Sequence, residues 1–149
     1  MSQHLTDPSI GALRLLGGAT ILHVGPGSPL EWVASIRQGF PIQVLDSLAA
    51  NIQATPAELA QLLGISVHTV AQRRRLGSLT SQQSERLLRL ARVLARAEEV
   101  FDDLSNAFHW LTSPLIVLRG ETPASLLDTE VGGELVMDTL GRIEHGIFA

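Results

Sequence analysis

Side chains with the types and spacing that catalysis or metal binding requires are scarce in this sequence. The histidines are scattered, and no two have the spacing of metal ligands: His4, His23, His68, His109 and His145. There is no cysteine, so thiol catalysis and disulfides are excluded. Gly25-Pro26-Gly27 lacks the third glycine of a dinucleotide fingerprint and the lysine of a phosphate-binding loop, and no Gly-x-Ser-x-Gly occurs. We therefore expect no enzyme, no metal and no cofactor.

The residue types and spacing from Pro56 to Arg75 instead predict a helix-turn-helix, a fold that binds DNA and is also used as a scaffold for docking proteins. Ala60 is small where two helices cross, Gly64 suits the tight turn, and Val70 packs the second helix on the first. Ser66 can cap the second helix. The expected outward-facing residues are Val67, His68, Ala71, Gln72 and Arg75.

Side chains at the start of this second helix are the candidate DNA contacts. His68 and Gln72 can read base edges, and Arg75 can contact a base or a phosphate. Arg73 stands where such motifs usually have an apolar residue, so we expect it to extend its stem along the surface or to pair with a carboxylate. The full candidate set is Ser66, Val67, His68, Thr69, Gln72, Arg73 and Arg75.

Charge is distributed unevenly around this motif. The net charge is −4, but residues 56–97 carry seven arginines and two carboxylates, whereas residues 98–149 carry two arginines and ten carboxylates. This asymmetry predicts two surfaces with different partners. We call residues 56–97 the basic block. Four of its arginines form a stripe that is either a solvated face or a set of phosphate contacts: Arg86, Arg89, Arg92 and Arg96.

Helix signals dominate the elements that must position these residues, so we predict a mostly all-α fold. Capping boxes are expected at Ser28–Glu31, Thr55–Glu58 and Thr80–Gln83. The remaining pattern gives helices at about 8–16, 41–53, 81–104, 105–111, 122–127 and 130–145, whereas 19–24 is left open between a short strand and a loop.

The composition is that of a folded protein. Of 149 residues, 45% are hydrophobic, yet the longest apolar run, Leu115–Leu118, is far below the ~18 residues of a membrane span. The N-terminus has no basic segment before an apolar stretch, so a secretory signal is not expected. We expect a cytoplasmic protein without membrane contact.

From the helix-turn-helix onward, the sequence resembles the antitoxins of RES–Xre toxin–antitoxin systems. The resemblance covers about 60–149 and, more loosely, 37–59. The matching residues are Ser84, Arg86-Leu87, Arg89 to Val93, Ala97, Val100-Phe101, Ala107, Trp110-Leu111, Pro114, Leu118, Gly120, Thr122-Pro123, Leu126 to Thr129, Gly132, Val136, Leu140 to Ile143 and Gly146. One departure is Asp102, where the family usually has glycine.

The resemblance implies an antitoxin that neutralises a RES-domain, NAD-degrading toxin by blocking its active site, and that represses its own operon. The implied architecture is a helical bundle with an N-terminal extension (1–40), a Xre-like helix-turn-helix domain (41–104) and a small helical toxin-binding domain (105–149). The implied partners are the RES toxin and operator DNA, with a homodimer inside a larger hetero-oligomer. The alternative is a stand-alone repressor whose C-terminal part dimerises.

Two apolar segments near the C-terminus are candidate contacts with a partner. Phe148 in the final segment can anchor in a toxin pocket, and the candidate toxin-binding set is Arg142, Glu144, His145, Gly146, Ile147, Phe148 and Ala149. Arg142 and His145 can instead belong to an intrachain salt-bridge element. The second segment, comprising Trp110, Pro114 and Leu115–Leu118, is either core or interface.

Overall fold

The computed structural model describes residues 8–25 and 28–146, and within them the chain is built from helices. These residues form no β-strand, and one isolated antiparallel bridge joins Pro41 to Ser78. The predicted mostly α fold class is therefore confirmed. The helices are α1 (Pro8–Leu15), α2 (Ala19–Leu22), α3 (Pro29–Gln38), α4 (Gln43–Asn51), α5 (Pro56–Leu62), α6 (Val67–Leu76), α7 (Ser81–Phe101), α8 (Leu104–Leu111) and α9 (Glu130–Glu144), with 3₁₀ turns at Ile116–Leu118 and Ala124–Leu126.

Reciprocal capping hydrogen bonds fix where two of these helices begin. Thr55 Oγ1 accepts from the Glu58 N–H at 3.0 Å, and the Glu58 carboxylate accepts from the Thr55 N–H at 2.8 Å. Thr80 and Gln83 repeat this arrangement at the start of α7. Both predicted capping boxes are confirmed, and each satisfies N–H groups that have no partner inside the helix.

The capping box predicted at Ser28 is wrong. α3 does begin at Pro29, but the Ser28 side chain makes no capping hydrogen bond. The Glu31 carboxylate accepts a hydrogen bond from the Gly25 N–H instead. This acid therefore holds the Gly25 backbone rather than the Ser28 backbone.

Two short segments differ from their predicted forms. The segment 19–24, left open between strand and loop, forms the single helical turn α2, which His23 closes with a φ of 57°. α2 lies beside α1 and α4 and buries Leu22. Tertiary packing therefore sets the helical conformation of this segment, whose local sequence preference is weak. The helix predicted at 122–127 is only the 3₁₀ turn Ala124–Leu126.

α7 is the centre of the fold. α1, α3, α8 and α9 all pack against it, and its buried residues are Ser84, Leu87, Leu90, Ala91, Val93, Leu94, Ala95 and Ala97. The approach of α1 is close, because a Cβ at Gly11 would lie 2.6 Å from the Ala95 Cβ. The N-terminal helices are thus docked on the rest of the molecule.

The end of α7 explains the one departure from the resembling family. α7 stops at Phe101, earlier than predicted, because Asp102 adopts the left-handed conformation with a φ of 59°. Glycine takes this conformation without steric cost, and aspartate is among the side chains that tolerate it. Asp103 then caps α8 by accepting from the Ser105 N–H at 2.8 Å. The turn therefore forms without the glycine.

Substitutions at two glycines of α9 test how closely this helix packs against its neighbours. A Cβ at Gly132 would lie 1.7 Å from the Leu126 carbonyl oxygen, whereas one at Gly141 would have no atom within 4 Å. We expect Gly132→Ala to lower the free energy of unfolding by about 2 kcal/mol or more, because the backbone must move. The matched Gly141→Ala should raise it by roughly 0.5–1 kcal/mol through helix propensity. Urea unfolding measures both, and equal effects would contradict the close approach.

Candidate functional sites

α5 and α6 form a helix-turn-helix, as predicted. Gly64 in the turn has a φ of 73°, a conformation that glycine adopts without strain. Leu59 and Ala60 of α5 are buried together with Ile65 of the turn. Val70 of α6 is partly buried against this core. The apolar side chains thus fix the angle at which α6 leaves α5.

The first half of α6 presents most of its side chains to solvent. Ser66 caps the helix by accepting from the Thr69 N–H at 3.1 Å, and its own hydroxyl donates to or accepts from that of half-buried Thr69 at 2.9 Å. Val67 is 73% exposed. The other residues predicted to face outward are also exposed: His68, Ala71, Gln72 and Arg75. The surface that the sequence assigns to DNA is therefore accessible.

The three consecutive arginines at the end of α6 have different surroundings. Arg73 Nε donates to the Ser78 carbonyl oxygen at 2.7 Å, so its partner is backbone and not a carboxylate, which was one of the two expected alternatives. Arg74 forms two hydrogen bonds with Asp46 of α4, at 2.8 and 3.1 Å, and this carboxylate raises the pKa of Arg74. Arg75 is exposed and makes no ion pair within the described residues. Of these three arginines, Arg75 is therefore the one whose guanidinium remains available to a partner.

The arginine stripe of α7 is not a uniform solvated face. Arg89 has a side chain 19% exposed and donates to the Leu127 carbonyl oxygen at 3.0 Å, next to α9. Arg96, 21% exposed, pairs with Glu99 and with Glu144 of α9. Two of the four predicted phosphate candidates therefore hold the C-terminal part in place. The sequence pattern could not separate these roles, because both require a basic residue at helical spacing.

The last turn of α9 contains several of the predicted toxin contacts. Glu144 is bound to Arg96, which lowers the pKa of this carboxyl through a hydrogen bond and charge. Arg142 and His145 form no ion pair within the described residues, and His145 Nδ1 lies 2.7 Å from the Gly141 carbonyl oxygen. The alternative of an Arg142–His145 salt-bridge element is thus not supported. Ile147, Phe148 and Ala149 lie outside the described residues.

One side of α9 faces solvent along the whole helix. Val131, Leu135, Asp138 and Arg142 follow one another at intervals of four, three and four residues, and all four are exposed. Val131 is 74% and Leu135 47% exposed, so this face contains two large apolar side chains that solvent reaches. This α9 stripe therefore leads from the start of the helix to the predicted toxin-binding end.

The apolar segment after α8 divides between core and surface. Trp110 packs on Phe101, with ring centroids 5.6 Å apart, and Leu118 is buried. Ile116, however, is 98% exposed, and Val117 is 52% exposed. The sequence alone leaves core and interface open for the whole segment. In the structure, Leu118 belongs to the buried residues, whereas Ile116 and Val117 belong to the surface.

The described residues contain neither a candidate membrane span nor a candidate metal site. Within residues 8–25 and 28–146, no helix is long and apolar enough to cross a membrane. The same residues contain no group of three or more histidines and carboxylates placed to hold a metal ion.

Comparison with known proteins agrees with both sites. Residues 31–92 match the antitoxin Xre-like helix-turn-helix domain, and residues 96–146 match the antitoxin Xre/MbcA/ParS C-terminal toxin-binding domain. The chain is 37% identical over 119 residues to an antitoxin Xre of Yersinia enterocolitica, covering 78% of this chain and 80% of the relative. The chain belongs to the Xre antitoxin family.

Two further relatives of this antitoxin have lower sequence identity to it. An antitoxin Xre of Photorhabdus laumondii is 33% identical over 116 residues, 76% of this chain and 78% of the relative. A Sphingobium protein named "Prs ADP-ribosylating antitoxin" is 28% identical over 132 residues, 82% of this chain and 83% of the relative. The α5–α6 pair lies inside the first domain match, and the α9 stripe lies inside the second.

We expect the Arg96–Glu144 pair to make the free energy of unfolding of the antitoxin depend on pH. We expect Glu144→Gln to lower the free energy of unfolding at pH 7 by about 0.5–1 kcal/mol, since the pair is partly exposed. Because the pKa of Glu144 is lowered in the folded state, this contribution is present above the range of an ordinary glutamate, about pH 4. It is lost progressively as the pH falls through the lowered pKa.

Urea unfolding at pH 7 and pH 3 checks this prediction. The difference between wild type and Glu144→Gln should shrink at pH 3. Arg142→Gln on the same helix is the control, with no expected change at either pH. A difference that stays constant between the two pH values would show that the carboxylate charge is not responsible.

Proposed function

We propose that this antitoxin binds a RES-domain toxin that degrades NAD⁺ and neutralises it by blocking the toxin's active site. The observation that carries the proposal is the match of residues 96–146 to a toxin-binding domain, together with the resemblance to RES–Xre antitoxins. ADP-ribosylation, which appears in the name of the Sphingobium relative, also consumes NAD⁺. An NAD⁺-consuming toxin is consistent with both.

The C-terminal end of α9 is the part we propose to enter the toxin's cleft. Arg142 and His145 are exposed there and make no ion pair within the described residues, so they remain available to a partner. The α9 stripe leads to them along an exposed face that contains two large apolar side chains. Ile147, Phe148 and Ala149 would complete the contact. Apolar anchors of this kind supply most of the binding energy in many interfaces.

We further propose that the antitoxin represses its own operon through α6. The exposed residues at the start of α6 have the chemistry to read base edges, and Arg75 is free for a base or a phosphate. Helix-turn-helix proteins generally bind as dimers, so the proposed assembly is a homodimer within a larger toxin–antitoxin complex in the cytoplasm.

Deleting Gly146–Ala149 tests the proposed block of the toxin. We expect at least a tenfold loss of affinity for the RES-domain toxin that the proposal requires beside this gene, and renewed NAD⁺ consumption by that toxin, since the anchor is lost. The unfolding midpoint and DNA binding should be unchanged. Calorimetric titration and an NAD⁺ assay measure these quantities. Unchanged affinity and unchanged neutralisation would contradict the role of the C-terminal end.

A matched pair of arginine variants tests DNA binding. Arg75→Gln should weaken binding to promoter DNA and reduce the slope of log affinity against log salt by about 1, with no effect on stability. Arg74→Gln removes the Asp46 contact, so it should lower the unfolding free energy by roughly 0.5–1 kcal/mol. Fluorescence anisotropy across a salt series measures the first effect. A slope near zero for the wild type would contradict phosphate contact.

A further inference from the structure

The chain after α8 closes into a tight, hydrogen-bonded loop, Leu115–Glu121, which we call the knuckle. The Leu115 N–H donates to the Glu121 carbonyl oxygen at 3.1 Å, and the Gly120 N–H donates to the Leu115 carbonyl oxygen at 2.8 Å. Three further backbone hydrogen bonds, from Leu118, Arg119 and Glu121, lie inside the loop. The backbone of the knuckle is therefore fixed before any partner binds.

The knuckle is also attached firmly to the fold. Leu118 is 7% exposed and anchors the loop. Arg119 and Gly120 both have positive φ values, 58° and 86°, and turn the chain back on itself. Ser125, in the 3₁₀ turn Ala124–Leu126, donates a hydrogen bond from its Oγ to Glu121 Oε1 at 3.1 Å. The loop is thus held at its base and at its closing residue.

The apex of this rigid loop is apolar. Ile116 is 98% exposed and Val117 is 52% exposed. Single exposed apolar residues are ordinary, but here two β-branched side chains are adjacent and held in one orientation. β-branched side chains have few rotamers, so their burial by a partner would cost little conformational entropy. The exposed Arg119 beside them forms no ion pair within the described residues and supplies a polar rim.

We infer that the knuckle is a second toxin contact, separate from the C-terminal end of α9. Ile116 would insert into an apolar pocket of the toxin, with a toxin carboxylate beside Arg119. This inference rests on the proposed function, and the toxin is the chosen occupant because the knuckle lies within the match to the toxin-binding domain, residues 96–146. The contact adds affinity and fixes the orientation of the antitoxin on the toxin surface.

Ile116→Asp tests the inference, with Leu30→Asp as the matched control. Leu30 is 82% exposed and lies outside the toxin-binding match. We expect Ile116→Asp to weaken binding of the full-length antitoxin to the neighbouring toxin by about tenfold or more. The unfolding midpoint and promoter binding should stay at wild-type values. Leu30→Asp should leave all three measurements unchanged. Combined with deletion of Gly146–Ala149, the two losses of affinity should multiply, since separate contacts are additive in free energy.

Two results would overturn the inference. Wild-type toxin affinity for Ile116→Asp would show that the knuckle makes no toxin contact. A change in the mass of the free antitoxin by sedimentation, with toxin affinity unchanged, would assign the knuckle to self-association. Failure of the wild-type chain to bind the toxin is a different outcome, because it would reject the proposed function itself.

Discussion

Burial of α7 is the constraint on which the rest of the structure depends. α1, α3, α8 and α9 all pack on this helix, which leaves little of its surface for solvent. The match to the helix-turn-helix domain ends at residue 92 and the match to the toxin-binding domain begins at residue 96, both within α7. The two parts therefore share a continuous helix rather than a flexible linker. Their relative placement is set by side-chain packing along α7.

Packing on α7 also determines which charges remain available to partners. Arg96 is paired with Glu144, Arg14 with Glu98, and Arg89 is bonded to a carbonyl next to α9. Within the described residues, Arg96 of the basic block and Arg14 of α1 thus pair with carboxylates of the acidic C-terminal third. The charges left for binding are fewer and more localised than the sequence count implies. They include Arg75 on α6 and Arg142 on α9.

Local signals in the sequence predicted several helix caps, although the same spacing failed at Ser28. Thr55, Thr80 and Ser66 cap their helices as predicted, since capping needs only residues three positions apart. Long-range contacts were not predictable in the same way. The docking of α1 through Gly11 and the partners of Arg74 and Arg96 depend on elements distant in the sequence. The separation of core from surface in 110–118 is the clearest case, because its residues have similar hydrophobicity.

We propose that this antitoxin protects NAD⁺ by covering the active site of its toxin. The most direct test of this proposal is the cellular NAD⁺ concentration after induction of the neighbouring toxin, with and without the full-length antitoxin. The account predicts that the toxin alone depletes NAD⁺ and that co-expression of the antitoxin keeps NAD⁺ at the level of uninduced cells. Restored growth with NAD⁺ still depleted, or a toxin that never lowers NAD⁺, would contradict it.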